Sequence, residues 1–315
     1  MRVKKVNPVE RKRDLISIAD LTRGQLEEIL VLARRLKADR KLGWPHLLLA
    51  GRTLAMIFEK PSLRTRVTFE VGIAQLGGHA VYLAPPDIGL GTRETVPDVA
   101  QNLSRWVDII MARTFSHQTI VELAQHATVP VINALSDLLH PCQILADCVT
   151  LIEQCGRLEG LKIAFVGDGN NVVNSWVDAA SKFPFTFALA CPAGYEPDPD
   201  ILARTRKNGA QVVITQSVEE AVREADAVYT DVWTSMGHEK ESAIRREAFH
   251  SYQVNAQVMS YAKKEALVMH CLPAHRGEEI TADVLEGAQS VVLEQAENRL
   301  HVQKAIMVWL LQSHT

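Results

Sequence analysis

The sequence predicts an α/β fold: two doubly wound parallel-sheet domains joined by interdomain helices, with the functional site in the cleft between them. Three observations carry this. Short apolar runs rich in Val, Ile and Ala alternate with stretches of helical period, the mark of a parallel sheet covered on both faces. The alternation stops at one long helical stretch over 140–155 and then starts again. Finally, 315 residues suffice for two cores of ordinary size, and a cleft between two domains is the default ligand site.

Taken in order, Leu21–Arg40 carries an apolar stripe at helical spacing (Leu26, Ile29, Leu30, Ala33, Leu36), with Thr22 and Gln25 placed as a capping box. Thr53–Phe58 reads as a strand, Ser62–Leu76 as a helix, His79–Leu83 as a strand and Val96–Ser104 as a helix. Asp108–Arg113, His117–His126 and Pro130–Asn133 continue as strand, helix, strand. The long helix over His140–Cys155 has Pro141 in its first turn, where no N–H is needed. In the second half, strands are expected at Leu161–Gly167, Thr186–Cys191, Val212–Thr215, Ala227–Asp231, Leu267–His270 and Val291–Glu294. Helices are expected at Asn171–Lys182, Asp198–Asn208 and Asn298–Gln312. The division this implies is 1–144 and 145–297, with 298–315 packing back on the first domain.

Composition narrows the function classes. The chain is 47% hydrophobic and 23% charged with a net charge of −3, which favours neither nucleic acid nor a membrane surface. Its start, MRVKKVNPVERKRD, is basic but lacks the apolar stretch of a secretory signal, so a solvated tail is expected. No apolar run approaches the roughly 18 residues needed to span a bilayer. Five cysteines (Cys142, Cys148, Cys155, Cys191, Cys271) form no CxxC pair and read as reduced thiols of a cytoplasmic protein.

The stretch Phe58–Glu70, FEKPSLRTRVTFE, turns from strand into helix with Ser62 as N-cap and Lys60, Arg64, Thr65 and Arg66 around the helix start. Free N–H groups, the positive end of the helix dipole and guanidinium forks suit a phosphate or another oxyanion; the alternative is a capped surface helix with solvated arginines. Arg113 ends a strand and either reaches the same anion or lies on the surface. His140, Pro141, Cys142 and Gln143 open the long helix, where an imidazole and an amide can bond a carbonyl oxygen or an NH₂ group, or merely cap and pack. VGDGNN at Val166–Asn171 resembles a dinucleotide fingerprint but places Val172 where the third glycine belongs, and no Walker A sequence is present. DVWTSMG at Asp231–Gly237 puts an acid and a glycine-ended loop after a strand, suited to an amino acid or to an ordinary turn. In HCLP at His270–Pro273, Cys271 is a reactive thiol, a core residue, or a zinc ligand with His270 and His275; the missing second ligand pair argues against zinc. Arg299, after Glu297 and Asn298, adds a further guanidinium.

Together FEKPSLRTR, MART, HPCQ, GDGNNVVNS, DVWTSMG and HCLP, in this order and over nearly the whole chain, resemble the transcarbamoylase family, and the SMG loop with HCLP resembles its ornithine-specific branch. The resemblance implies carbamoyl transfer from carbamoyl phosphate to ornithine, a step of arginine biosynthesis. It implies that Ser62, Leu63 (through its backbone), Arg64 and Thr65 hold the phosphate with Arg113, and that Thr65, Arg113 and His140 polarise the carbonyl. Pro141, Cys142 and Gln143 complete the helix start; Gln143, the Cys271–Leu272 backbone and Arg299 orient the carbamoyl group. Asn171, Asp231, Ser235 and Met236 hold ornithine, and Cys271 beside Asp231 serves amine recognition and proton relay. No cofactor or metal is implied; the family forms homotrimers or assemblies of trimers. Two positions depart from the family pattern: Leu63 replaces a threonine, and Gly89 a glutamine that would reach a neighbouring subunit. Competing readings are the same chemistry on putrescine or N-acetylornithine, a non-catalytic binding protein, and a nucleotide-dependent dehydrogenase.

Overall fold

The computed structural model describes residues 12–234 and 239–312. The first half runs α1 (Arg23–Lys41), β1 (Thr53–Phe58), α2 (Leu63–Gln75), β2 (His79–Leu83), α3 (Pro85–Ile88), α4 (Val96–Trp106), β3 (Ile109–Arg113), α5 (His117–His126), β4 (Val131–Leu135) and α6 (Pro141–Cys155). The second half runs β5 (Lys162–Val166), α7 (Asn171–Ala180), β6 (Thr186–Ala190), α8 (Pro199–Lys207), β7 (Gln211–Thr215), α9 (Val218–Val222) and β8 (Ala227–Thr230). It continues with α10 (Ser242–Phe249), α11 (Ala256–Met259), β9 (Leu267–His270), α12 (Ala282–Leu285) and α13 (Val292–Gln312).

Among the described residues all strand pairings are parallel, in two sheets of order β2-β1-β3-β4 and β7-β6-β5-β8-β9. Each sheet has one strand from which the chain departs in both directions: β1 lies between β2 and β3, and β5 between β6 and β8. At such a switch point the loops leaving neighbouring strands diverge and open a crevice beyond the strand C-termini. The sequence places its motifs at these two crevices: Glu59–Ser62 and Arg113 at one, Gly167–Asn170 and Asp231 at the other.

Strand side chains alternate between two layers. Leu54, Met56, Phe58, Ile109 and Met111 face a central core that also takes Ile163, Phe165, Phe187, α1, α6, α7 and α13. Ala55, Ile57, Ile110 and Ala112 face an outer core under α4 and α5. Ala164, Val166, Ala188, Ala190 and Val228 line the outer core of the second sheet. The central core is thus shared by both sheets, and α13 packs across α1, α2, α6 and β9. Local signals fix several ends: Thr22 and Gln25 form the expected capping box of α1, Ser62 caps α2 and Asn170 caps α7. Ahead of α1, Leu15 extends the first sheet by bridging to Ile132 at the β4 edge.

The strand expected over Val291–Glu294 is a correction. Ser290 makes only a single bridge to Val268 beside β9, and from Val292 the chain is helical, so α13 begins six residues before the expected Asn298. The β-branched pair Val291–Val292 is buried on both sides of this transition, so apolar content did not separate strand from helix. The solvated tail expected at the start falls mainly on residues 1–11, outside the described residues. Among the described residues no helix is long and apolar enough to cross a membrane.

Trp176 on α7 anchors the second sheet: it is fully buried, stacked on Phe187 at 6.1 Å and edge-on to Phe185 at 5.6 Å and Tyr229 at 6.2 Å. Trp176→Ala is expected to cost roughly 3–5 kcal/mol of stability, and Trp176→Phe markedly less, read as the shift in urea midpoint.

Candidate active site

At the first crevice the Ser62 hydroxyl accepts the Thr65 N–H at 3.2 Å and the Ser62 carbonyl accepts the Arg66 N–H at 3.2 Å. The amides of Leu63 and Arg64 remain as open donors of the first turn of α2, while the Leu63 side chain points to solvent. Arg113, at the C-terminus of the adjacent β3, is buried; its carbonyl accepts the Glu59 N–H at 2.8 Å, and the Glu59 carboxylate accepts the Phe115 N–H at 2.7 Å. These bonds hold the two strand ends together. Lys60 lies over the Phe115 ring with its ammonium 4.5 Å from the centroid.

Arg299 comes from α13, far away in sequence and buried in the same place. One of its terminal nitrogens donates to Thr65 Oγ1 at 3.0 Å and the other to Gln143 Oε1 at 2.7 Å. Three guanidiniums thereby crowd one volume, and their charges register on one another. Burial first, then Arg299 and Arg64, push Arg113 down to about 10; burial also lowers Arg64 and Arg299. A cluster of buried and half-buried cations beside open helix amides suits a multiply charged anion.

His140 caps the buried start of α6, with its backbone N–H held by Ser175 Oγ at 2.8 Å. Burial, then Arg299, Arg113 and Arg64, lower its pKa far below the usual histidine value, so the imidazole is neutral at physiological pH. It can polarise a carbonyl by a hydrogen bond, the role a neutral imidazole performs next to an oxyanion. Pro141 is buried at the helix start. The Cys142 thiol turns into the core toward the Asn133 carbonyl at 3.4 Å, and burial pushes it up to about 12, so only its backbone is left for a ligand.

The second crevice is built on Asp231. Its carboxylate accepts Asn170 Nδ2 at 2.9 Å, the Cys271 thiol at 3.0 Å and the Val232 N–H at 2.8 Å. Burial and the neighbouring Asp231 raise Cys271 well above the ordinary thiol range, which makes it a thiol donor and a poor nucleophile. Arg64 on α2 lies within electrostatic reach of both Asp231 and Cys271, so the two crevices face one another across the cleft. Leu272 adopts a left-handed backbone with φ 57°, and its N–H is taken by His270 Nδ1 at 2.8 Å, which leaves its carbonyl as the group for a ligand.

Asp231, His270 and Cys271 offer ligand atoms within 4.8 Å of one another, yet both His270 nitrogens are engaged, Nε2 with Glu279 Oε1 at 3.1 Å. The Asn171 side chain turns another way, donating to the Ser136 carbonyl at 2.6 Å and tying α7 to the loop before α6. Its neighbour Asn170, not among the residues expected to bind ornithine, both caps α7 and holds Asp231; an Asx residue just before a helix was the signal for the cap. Ser235 and Met236 lie outside the described residues.

The VGDGNN turn has its own explanation. A Cβ on Gly169 would lie 2.6 Å from the Tyr195 carbonyl oxygen, so the glycine serves close approach of the 195–197 segment. Gly89, where the family pattern has glutamine, ends α3 at φ 57°, and a Cβ there would sit 2.7 Å from Arg93 Cβ. The loop is built around glycine and supplies no side chain at this position.

Comparison with known proteins agrees with this geometry. Residues 13–153 match the carbamoyl-P binding domain, and residues 159–310 the Asp/Orn binding domain, of aspartate/ornithine carbamoyltransferase. An ornithine carbamoyltransferase of Syntrophus aciditrophicus is 56% identical over 301 residues, 95% of this chain and 100% of that protein. One from Thermococcus kodakarensis is 50% identical over 303 residues, 95% and 96% of the two chains. Among solved structures, ornithine carbamoyltransferase from Pyrococcus furiosus superimposes with a TM-score of 0.93 at 48% identity, covering 96% of this chain and 98% of that one. The Thermus thermophilus enzyme gives a TM-score of 0.87 at 46% identity, covering 95% and 98%. Two matched domains, whole-length relatives and a shared fold place this chain in the aspartate/ornithine carbamoyltransferase family.

Proposed function

We propose that the chain transfers the carbamoyl group of carbamoyl phosphate to the δ-amine of L-ornithine, giving citrulline and phosphate. The observation that carries this is the facing pair of crevices: buried cations and open amides on one side, an Asp231–Cys271 pair on the other. Full-length relatives named ornithine carbamoyltransferase support the choice of acceptor.

In this reading Ser62, the Leu63 amide, Arg64, Thr65 and Arg113 hold the phosphate. Thr65, Arg113 and neutral His140 polarise the carbonyl, where negative charge grows as the tetrahedral centre forms. Gln143, Arg299 and the Cys271–Leu272 carbonyls orient the carbamoyl group. Asp231, held by Asn170, receives ornithine together with Asn171, Ser235 and Met236, and the Cys271 thiol stands beside the attacking nitrogen. The C–N bond forms as the C–O bond to phosphate breaks, and the proton lost by nitrogen is balanced by protonation of the departing phosphate. Much of the acceleration comes from holding two substrates in line while the cleft excludes water. No metal or organic cofactor takes part. We place the boundary between the carbamoyl-phosphate domain and the ornithine domain within α6, near residues 144–145, with α13 packing back on the first domain, which its contacts with α1 and α2 support. The five free thiols support a reducing, cytoplasmic setting.

We also infer a homotrimer or an assembly of trimers. Leu63, Val67 and Val71 form an exposed apolar stripe on α2, 76%, 46% and 38% accessible, beside exposed Val81 on the edge strand β2. Val67→Asp is expected to shift the molecular mass in light scattering toward the monomer; an unchanged mass would remove this stripe from the interface.

Arg64→Ala is expected to lower kcat/KM for carbamoyl phosphate by about 10²–10³-fold with an unchanged circular dichroism spectrum. Asp231→Ala is expected to act chiefly on the ornithine side. Citrulline formation is the readout, with putrescine and N-acetylornithine run in parallel; turnover confined to either would overturn the ornithine assignment. Only the neutral amine attacks, and an amine of pKa near ~10.4 is about 0.04% neutral at pH 7. The kcat/KM for ornithine should therefore rise roughly tenfold per pH unit on the acid side. His140 is already neutral there and should add no inflection between about pH 6 and 8.

A further inference from the structure

Behind the two crevices runs a buried line of hydrogen bonds through Asp147, Tyr229 and Gln295, residues that none of the roles above uses. It starts at Thr65 and Arg299 and passes through the Gln143 amide, whose Nε2 donates to Asp147 Oδ1 at 2.8 Å. Gln295 Nε2 donates to the same Asp147 oxygen at 2.8 Å and to the Tyr229 hydroxyl at 2.9 Å. Gln295 Oε1 accepts the His270 backbone N–H at 3.0 Å, and His270 Nδ1 accepts the N–H of Leu272. Thr65, Gln143, Asp147, Tyr229, His270, Gln295 and Arg299 are all buried.

The direction of each bond is dictated by chemistry. An arginine only donates, so Gln143 must turn its oxygen to Arg299 and its NH₂ toward Asp147. A backbone N–H only donates, so Gln295 must turn its oxygen to His270 and its NH₂ toward Asp147. Asp147 is the acceptor on which both amide orientations converge. We infer that Asp147 and Gln295 are positioning residues that lock the Gln143–Arg299 pair on the carbamoyl-phosphate side to the Cys271–Leu272 turn on the amino-acid side. The two halves of the site are thereby set as one unit.

This inference rests on the carbamoyl-transfer reading for its kinetic readout, and its tests separate the two. Asp147→Leu removes the acceptor, whereas Asp147→Asn keeps one oxygen for the two amides. The Leu variant is expected to lose about 10–10² in kcat, through misplaced Gln143 and Arg299, and the Asn variant to recover most of it. Wild-type kcat in the Leu variant, or equal loss in both, overturns the positioning role.

Gln295→Glu keeps the acceptor for His270 but sets a second carboxylate against Asp147. Asp147 faces Gln143 and Cys148 on its own helix, Gln295 and Arg299 from α13, Tyr229 from β8, and Cys271 beyond β9. Burial, partly offset by the two amide donors, raises its carboxyl to about 7. A proton shared by the facing carboxyls at lower pH restores a donor. The kcat of the Gln295→Glu variant relative to wild type should therefore climb as the pH falls from about 8 to 6; a flat ratio overturns the inference even if the Leu variant does not fold. Amide exchange at His270 and Leu272 needs no turnover. It is expected to quicken in Gln295→Leu, and unchanged exchange overturns the link whether or not ornithine is the acceptor.

Discussion

A single guanidinium determines how the rest of the cleft is arranged. Arg299 leaves the last helix, reaches Thr65 at the first turn of α2 and Gln143 at the first turn of α6, and bonds both while buried. Because arginine offers only donors, each partner must present an oxygen. The Thr65 hydroxyl proton is left pointing elsewhere, and the Gln143 amide has one allowed orientation. Two helix starts far apart in the chain thus acquire a fixed spacing from one planar group.

The same arginine creates the electrostatic problem that defines the site. With Arg64 and Arg113 nearby, burial lowers all three guanidiniums, repulsion from neighbouring arginines adds to this at Arg113 and Arg299, and His140 is forced neutral. Buried like charges are tolerated where a ligand supplies the counter-charge or where packing leaves no alternative. Here the open amides of α2 point into the same space, which favours the first account. At the opposite wall Asp231 offers a carboxyl group flanked by Asn170 and Cys271, a partner for an amine across from the cationic crevice.

Much of this was legible in the chain. Strand ends such as Phe58, Arg113 and His270 followed from apolar runs closing on polar residues, and caps such as Thr22 and Ser62 from their local patterns. What escaped was set by tertiary context. Asp147 sits inside a helix buried over most of its length, where periodicity gives no reason to single out one acid. Asn170 and Asn171 are adjacent and alike, and only the turn geometry decides which one meets Asp231. The run at Val291 is apolar and β-branched, as a strand would be, but one bridge beside β9 is all the sheet edge accepts before the helix takes over.

The placement of α13 has a consequence for how the protein comes into being. Residues 292–312 cover apolar faces of α1, α2 and α6, and supply Arg299 and Gln295, yet they are synthesised after every strand of both sheets. A chain still emerging from the ribosome can form its sheets in order, but it exposes the surfaces that await this helix. Those surfaces invite chaperones and mispairing until the helix docks, and no catalytic cleft exists before that moment. Docking of this one helix therefore closes the core and completes the site in the same step.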